Sequence, residues 1–340
     1  MRVAAFTDLT GPDGVSILDR PTPEPGPEEA VVDVEAASIN RHDLWILEGA
    51  DTRFDDDDLP FVSGLDLAGE VRSVGDGVTA VSPGDRVVLC PNQTCGACRF
   101  CYEGPENLCE SFSLYHGGLA EAALVDARRL VRLPENVSMT DAAALPTAYM
   151  TAYHMLRRAD VGPTDLVFVP GATGGVGVAS IQLAGVLGAE TVGTSSSRTK
   201  LDRMEDLGLD HAIHSTDPDE IESAVRAIGT PDAVLNHLGG DYTQLGLGVL
   251  RRGGRMVVCG GTAGRYSEVD IPGLFLKHKQ LIGSTMGTQL DLETLVKLVA
   301  DGSLVPEIDE TYPLEATAAA FEAMQNRESV GKLVVTTSHS

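Results

Sequence analysis

Leu166-Val167-Phe168-Val169-Pro170, followed by Gly171-Ala172-Thr173-Gly174-Gly175-Val176-Gly177 and a helix-like run from Val178 to Ala189, is the stretch on which the fold turns. An apolar strand enters a glycine-rich turn, and Val176, Val178, Ile181, Leu183, Ala184 and Leu187 give the segment behind it a helical spacing. Four glycines in seven residues exceed what a tight strand-to-helix turn needs for steric reasons alone. A helix N-terminus carries free N–H groups and the positive end of the helix dipole, and glycines let a pyrophosphate come close to them. Ala172, Thr173, Gly174, Gly175, Val176 and Gly177 are therefore the candidate dinucleotide-binding residues.

Outward from this stretch, strands and helices alternate. A helix capped by Asp141 is expected over Ala142–Leu156, a strand at Thr191–Thr194, a helix at Arg198–Leu207, and strands at Ala233–Leu235 and Met256–Cys259. Such alternation implies an α/β unit with a doubly wound parallel sheet. Residues before about 140 read instead as β-rich: Val31–Ala37, Leu67–Val74 and Arg86–Leu89 look like strands punctuated by Gly75, Gly77, Pro83 and Gly84. Near Gly283 the pattern shifts again, with helices expected at Leu290–Ala300 and Ala316–Met324 and a last strand at Lys332–Thr336.

The chain has 340 residues, enough for two domains. No apolar run reaches the length of a membrane span, and the first residues lack the layout of a signal peptide, so a cytoplasmic protein without membrane contact is expected. Fifty acidic residues against 25 basic ones leave a formal charge of −25, and lysine is rare among the cations. That balance argues against nucleic acid as a partner. At about 1 M salt the screening length falls to roughly 3 Å and the self-repulsion of such a surface fades, so a halophilic setting is the simplest expectation.

Four of the six cysteines fall close together, at Cys95, Cys98, Cys101 and Cys109. Four thiolates on one Gly/Pro-bearing lobe, about residues 90–112, can close a tetrahedral site around Zn²⁺. A site closed by four sulfurs has no open position, so this zinc is expected to be structural. Disulfides are disfavoured in a reducing compartment. Cys90 and Cys259 stand apart and read as small buried hydrophobes.

These pieces, with Pro83-Gly84-Asp85-Arg86-Val87, Gly118-Leu119-Ala120-Glu121, Leu133-Pro134-Glu135-Asn136-Val137 and Gly331-Lys332-Leu333-Val334, together resemble the medium-chain dehydrogenase/reductase family. The resemblance covers nearly the whole chain. It implies a GroES-like β-rich catalytic domain from residues 1–140 and 285–340, a Rossmann domain over 141–284, an active-site cleft between them, and a homodimer or homotetramer. The family's zinc alcohol dehydrogenases hold a second, catalytic zinc. At the places that match their ligands this chain has Asn40 for a Cys, Leu65 for a His, and Thr147 for a third ligand that is often Cys. Leucine cannot bind zinc, and neutral Asn and Thr are poor ligands. The replacements resemble the zinc-free quinone oxidoreductase and enoyl reductase branch, although many quinone reductases lack the four-cysteine lobe.

The resemblance places Asn40, His42, Thr147 and Tyr149 at positions that match the family's active cleft, as candidate catalytic hydrogen-bond donors; His42 is also the candidate proton relay. Thr147 and Thr151 are expected to hold the nicotinamide end, and Asp66 to make backbone hydrogen bonds. Tyr115 and His116 carry no expected role. An NAD site usually has an acid about 20 residues past the glycines. Here Ser195, Ser196, Arg198 and Lys200 occupy that region, with no acid between Glu190 and Asp202, which suits the 2′-phosphate of NADP(H) better than NAD. The expected activity is NADPH-dependent hydride transfer to an activated C=C or a quinone in a small-molecule substrate. The alternatives are an alcohol dehydrogenase with an atypical site and a non-catalytic NADPH-binding protein.

Overall fold

The computed structural model describes residues 1–337. It contains two compact units, one made of residues 1–147 with 288–337, the other of residues 148–287. The boundaries expected at 140 and 285 therefore lie a few residues later. The first shift has a packing reason: the helix Met139–Ala144 lies on the strands Glu29–Ser38 and Asp66–Val74 of the first unit. Its cap is Ser138, whose side chain accepts from the Asp141 N–H, rather than Asp141 itself. The single expected helix over Ala142–Leu156 is broken into Met139–Ala144 and Met150–Arg158 by a wider turn, Leu145–Tyr149, that holds Pro146. Proline has no N–H to give the turn before it.

The second unit is a six-stranded parallel sheet in the order His211–His214, Glu190–Ser195, Leu166–Val169, Ala233–Asn236, Arg255–Val258, Gln280–Gly283. The central strand Leu166–Val169 is buried throughout, which is why it reads as a continuous apolar run. Two strands were not expected: His211–His214, short and half polar, and Gln280–Gly283, an edge strand with three exposed residues of four. Phe168, Val192, Ile221, Val225, Val234 and Met256 form the core on one side of the sheet.

In the first unit, the strands Ile308–Pro313, Lys332–Thr336, Glu29–Ser38, Asp66–Val74, Arg86–Leu89 and Leu130–Arg132 follow one another across a mainly antiparallel sheet, and Ala122–Asp126 pairs with Glu29–Ser38 off that path. The last strand comes from far along the chain: Val334 faces Ser38 and Thr336 faces Ala36. That pairing carries Lys332 to the end of Glu29–Ser38, where the site described next begins. Phe6, Leu44, Leu47, Leu89, Phe321 and Val335 are among the core residues that hold these segments together. No helix among the described residues is long and apolar enough to cross a membrane.

Candidate functional site

Three places carry the chemistry. The first is the glycine turn. Gly171 takes a left-handed φ of 72°, and its N–H donates to Thr194 Oγ1 at 3.0 Å. A Cβ on Gly177 would sit 2.4 Å from the Gly171 carbonyl oxygen, so the helix Gly175–Val186 can approach the strand only with glycine there. A Cβ on Gly174 would meet nothing closer than 4.0 Å, so that side of the turn is open. The first N–H groups of a helix have no intrahelical partner. The turn thus fits a pyrophosphate: one glycine is needed for packing and another leaves room for the ligand. Ala172 is buried and donates its N–H to the Thr194 carbonyl at 2.9 Å, and the Thr173 and Ser195 hydroxyls lie 3.4 Å apart. Val176 is the backbone acceptor for Ser180.

After Glu190–Ser195, the Ser196 carbonyl contacts His214 Nε2 at 3.1 Å, and Ser197 caps the helix Arg198–Asp206 by accepting from the Lys200 N–H. The guanidinium of Arg198 lies along its own helix on Asp202 at 2.8 Å and Glu205 at 3.3 Å. The acid missing at the strand end is therefore supplied one turn later, against the cation expected to hold a phosphate.

Two of the expected contact residues are buried within this unit. Tyr149 has no exposed surface, and its hydroxyl donates to Gln182 Oε1 at 2.7 Å. In that position it braces the helix behind the glycine turn. Thr151 is also buried and turns its hydroxyl to the Met286 sulfur at 3.9 Å. Nothing local distinguishes either residue from an exposed one; the wide turn at Leu145–Tyr149 rotates the helix beyond it.

The second place is the cysteine lobe. The strand pair Asn92–Gln93 and Ser113–Leu114 closes its base, and the helix Arg99–Glu103 and the turn Glu106–Leu108 carry the chain between the thiols. The Sγ atoms of Cys95, Cys98, Cys101 and Cys109 all lie within 4.8 Å of one another, with separations of 3.5 Å for Cys98–Cys101 and Cys95–Cys109 and 3.9 Å for Cys95–Cys101. A tetrahedral Zn²⁺ with bonds of about 2.3 Å needs sulfurs about 3.8 Å apart. The Cys95 N–H donates to Cys109 Sγ at 3.3 Å, the kind of contact that orients a thiolate ligand. Backbone N–H groups aimed at the Cys98 sulfur favour its thiolate, the form that binds a metal. The lobe fits a structural zinc. Cys90 is buried as expected; Cys259 is partly accessible.

The third place is a buried polar network in the first unit. Asp66 has no exposed surface. Its Oδ2 accepts from Ser38 Oγ at 2.8 Å and Asn40 Nδ2 at 2.9 Å, and its Oδ1 accepts from Thr147 Oγ1 at 2.5 Å. Lys332, only 3% exposed, places Nζ 3.5 Å from Asp66 Oδ2, donates to the Ile39 carbonyl at 3.0 Å, and donates to Asn40 Oδ1. Burial raises the Asp66 carboxyl, and Lys332 and the three hydrogen bonds offset only part of that; burial likewise lowers the Lys332 ammonium. Asp66 thus bonds to side chains, where backbone partners were expected. Leu65 beside it is fully buried and offers no lone pair. With Asn40 Oδ1 held by an ammonium, this donor set does not fit a zinc ion.

On the helix Arg41–Leu47, His42 stacks on His116 at 5.5 Å between ring centroids, and His116 meets the edges of Phe54 at 5.4 Å and Phe61 at 5.1 Å. His42 Nε2 is 2.9 Å from an Arg53 nitrogen and 3.4 Å from Asp51 Oδ2. The Arg53 guanidinium brings the Asp51 carboxyl down to about 2. The Nδ1 atoms of both histidines are buried and unpartnered among the described residues. Burial lowers both imidazoles, His116 to about 4. His116 is the site residue the sequence did not single out; its one signal was its place before the Gly117-Gly118 turn.

Residues 26–135 match the family model for the alcohol dehydrogenase GroES-like domain, and residues 175–301 that for zinc-binding dehydrogenases. The chain is 30% identical to an acryloyl-coenzyme A reductase of Metallosphaera sedula, over 95% of this chain and 97% of that one. The chain belongs to the medium-chain dehydrogenase/reductase family. Among solved structures, a cobalt- and zinc-bound thermostable alcohol dehydrogenase from Pyrobaculum aerophilum superposes with a TM-score of 0.88 at 33% identity, covering 99% of each chain. A 2-octenoyl-CoA carboxylase reductase in complex with NADP and 2-octenoyl-CoA gives 0.88 at 27% identity, over 98% of this chain and 87% of that one. This chain is an oxidoreductase of that family, with the GroES-like and Rossmann-type units expected from the sequence.

Two outcomes follow. Protein purified without added metal is expected to carry one zinc per chain by elemental analysis, and Cys98→Ser to lose it together with thermal stability; a folded, zinc-free wild type of equal stability refutes a structural zinc. The second concerns acid. His116 titrates at about 4 in the folded protein and near 6.5 when free, so the unfolded chain takes up its proton first. Stability from His116 is therefore complete above pH 6.5 and is lost as pH falls towards 4, with Asp43, Asp51, Arg53 and His42 setting the field around it. In a pH series of melting curves, His116→Phe is expected to flatten the wild-type decline across that window.

Proposed function

We propose that this protein is an NADPH-dependent reductase of short enoyl thioesters. The observation that carries the reading is the replacement of a metal-binding donor set by Asn40, Leu65 and Thr147, with Lys332 fixed on the Asn40 oxygen. Oxidising a simple alcohol requires stabilisation of an alkoxide, which this donor set leaves without a Lewis acid. Reducing a conjugated C=C spreads the developing charge onto a carbonyl oxygen, which hydrogen-bond donors can stabilise. The similarity to an acryloyl-CoA reductase along nearly the whole chain supports the thioester as the activated alkene.

The bound nicotinamide supplies the hydride. The residues assigned to the substrate are His42 and His116, whose stacked rings and unpartnered Nδ1 atoms adjoin Phe54 and Phe61. Arg53, as a donor to His42 Nε2, favours the tautomer with its proton on Nδ1. A neutral imidazole N–H there can donate to the thioester oxygen, and the aromatic wall suits a short acyl chain. Asn40 and Thr147 serve as holders of Asp66. Ser195, Ser196, Arg198 and Lys200 remain the assigned contacts for a 2′-phosphate, with Arg198 exchanging Asp202 and Glu205 for the phosphate on binding.

We also propose a homodimer as the smallest assembly. Among the described residues the edge strand Gln280–Gly283 is paired only with Arg255–Val258, and Ile271, Phe275 and Leu276 beside it are each about 60% exposed. Light scattering is expected to give twice the chain mass, and Leu281→Lys with Phe275→Asp to give the monomer.

The activity test is NADPH oxidation with crotonyl-CoA, acryloyl-CoA, cyclohexenone and a benzoquinone, and NADP⁺ reduction with ethanol and butanol. Thioester turnover at least tenfold above the other substrates is expected, with His42→Phe lowering kcat about a hundredfold, within the range removed with a catalytic donor. NADPH is expected to outperform NADH, and Arg198→Ala to narrow that preference. Alcohol oxidation that requires added zinc overturns the reading.

A further inference from the structure

We propose that Lys332 is the fixed internal cation of this site: its ammonium keeps the buried Asp66 ionised and thereby sets the Thr147 hydroxyl as a hydrogen-bond acceptor towards whatever binds there. This deepens the reductase reading and rests on it only for the identity of the bound molecule.

The geometry makes the case. Lys332 Nζ has three oxygens around it, from Ile39, Asn40 and Asp66, which matches the three protons of an ammonium. Asp66 has the Ser38 hydroxyl, the Asn40 NH₂ and the Thr147 hydroxyl around it, three donors beside the Lys332 ammonium, the company that an ionised carboxylate requires. Each of these neighbours is then fixed in polarity. The Asn40 amide has its oxygen turned to Lys332 and its NH₂ to Asp66 and the Ser38 carbonyl. The Thr147 hydroxyl spends its single proton on Asp66, so only its lone pairs remain. Thr147 is half-buried, unlike Asp66, and is the member of the network that a ligand can reach. A ligand group that meets it must be a donor, such as a ribose hydroxyl or a carboxamide NH₂. A developing enolate oxygen is excluded.

The residue choice points the same way. Only five of the 25 cations in this chain are lysine, and arginine makes surface ion pairs such as Arg53–Asp51, Arg128–Asp126, Arg132–Asp85 and Arg226–Glu222. A compact ammonium has been kept where the cation must fit among three oxygens with almost no solvent. The other buried carboxylate nearby, Asp43, is served separately by the N–H groups of Asn40 and Gly64 and the Ser63 hydroxyl. Lys332 acts on ligands through Asp66 and Thr147, so it is a positioning residue.

The test reads Asp66 directly. The infrared C=O stretch of a protonated carboxyl, assigned by difference against Asp66→Asn, is expected to be absent for Asp66 in the wild type from pH 6 to 8. In Lys332→Met, no ammonium offsets the burial that raises the Asp66 carboxyl, and Asp43, the other carboxylate acting on Lys332, adds no positive charge. The band is then expected at pH 6 and is lost as pH rises. Turnover per folded molecule should rise over the same interval as the carboxylate returns, while melting temperature falls because the charge is buried and unpaired; the wild type shows neither slope. Thr147→Val is expected to cost about tenfold in kcat/KM in the wild type and less than twofold in Lys332→Met at pH 6. If Lys332→Met does not fold, Lys332→Gln, which keeps two donors, replaces it. A protonated Asp66 band in the wild type, no band in the lysine variant, or Thr147→Val costs equal in both backgrounds each overturn the proposal. Because the band needs no substrate, an ionised Asp66 in a protein that fails to reduce thioesters leaves this inference standing and removes the function.

Discussion

A carboxylate with no access to water must find every partner it needs inside the protein, and Asp66 sets that demand for the first unit. Its partners come from four separate segments: Ser38 from the end of a strand, Asn40 from the start of a helix, Thr147 from the wide turn, and Lys332 from the last strand. Removing one member of a buried ion pair typically costs about 3–5 kcal/mol, because the other charge is left unpaired. The antiparallel pairing of Val334–Thr336 with Ala36–Ser38 is thus more than sheet closure. It brings a residue from the far end of the sequence to the one place where a cation is required.

The same unit answers a second cluster of anions in a different way. The four thiols of the lobe lie at separations suited to a tetrahedral ion. Soft sulfur ligands select a metal; the hard oxygens of Asp66, Asn40 and Ile39 receive an ammonium. The lobe is anchored by polar contacts outside its cysteines: Arg129 reaches Thr94, and the Gln289 N–H donates to Glu106 at 2.6 Å. Loss of the metal would accordingly be felt at the helix Gln289–Ala300 that follows Gln289.

Much of this was legible in the sequence because it is local. The glycine turn, the cysteine spacing and the buried strand Leu166–Val169 each fit within about 25 residues, and each carries its own chemical signature. What was not legible depends on segments distant in sequence. Lys332 reads as an ordinary strand-start cation until the sheet places it at Asn40, 292 residues away. His116 gains meaning from the rings of His42, Phe54 and Phe61, all more than 50 residues away in sequence. Arg198 looked like a phosphate ligand because the preceding residues lack an acid, whereas helical geometry returned Asp202 to it at four residues' distance. Tyr149 and Thr151 follow Pro146, and the wider turn there rotates both into the interior, a change that a uniform helical period does not contain. The strand Gln280–Gly283 escaped notice because three of its four residues are exposed and it lacks the apolar run of its neighbours.

The polarity of the network bears on the reaction. Hydride addition to a conjugated carbon makes an oxyanion, and an oxyanion needs donors that are already aimed and not otherwise spent. Asn40 and Thr147 look like such donors in the sequence, yet both direct their protons at Asp66. A charge brought to them by the substrate would lie near an existing carboxylate, with Lys332 already shared among three oxygens. The proposed reduction therefore calls for donors outside the network. Neutral imidazoles suit that role: burial lowers their proton affinity, and an uncharged N–H keeps its donor over the physiological range. The division of labour is then physical in origin. One buried cation holds a scaffold whose polar groups are already engaged with one another, and the stacked rings of His42 and His116 lie outside that commitment.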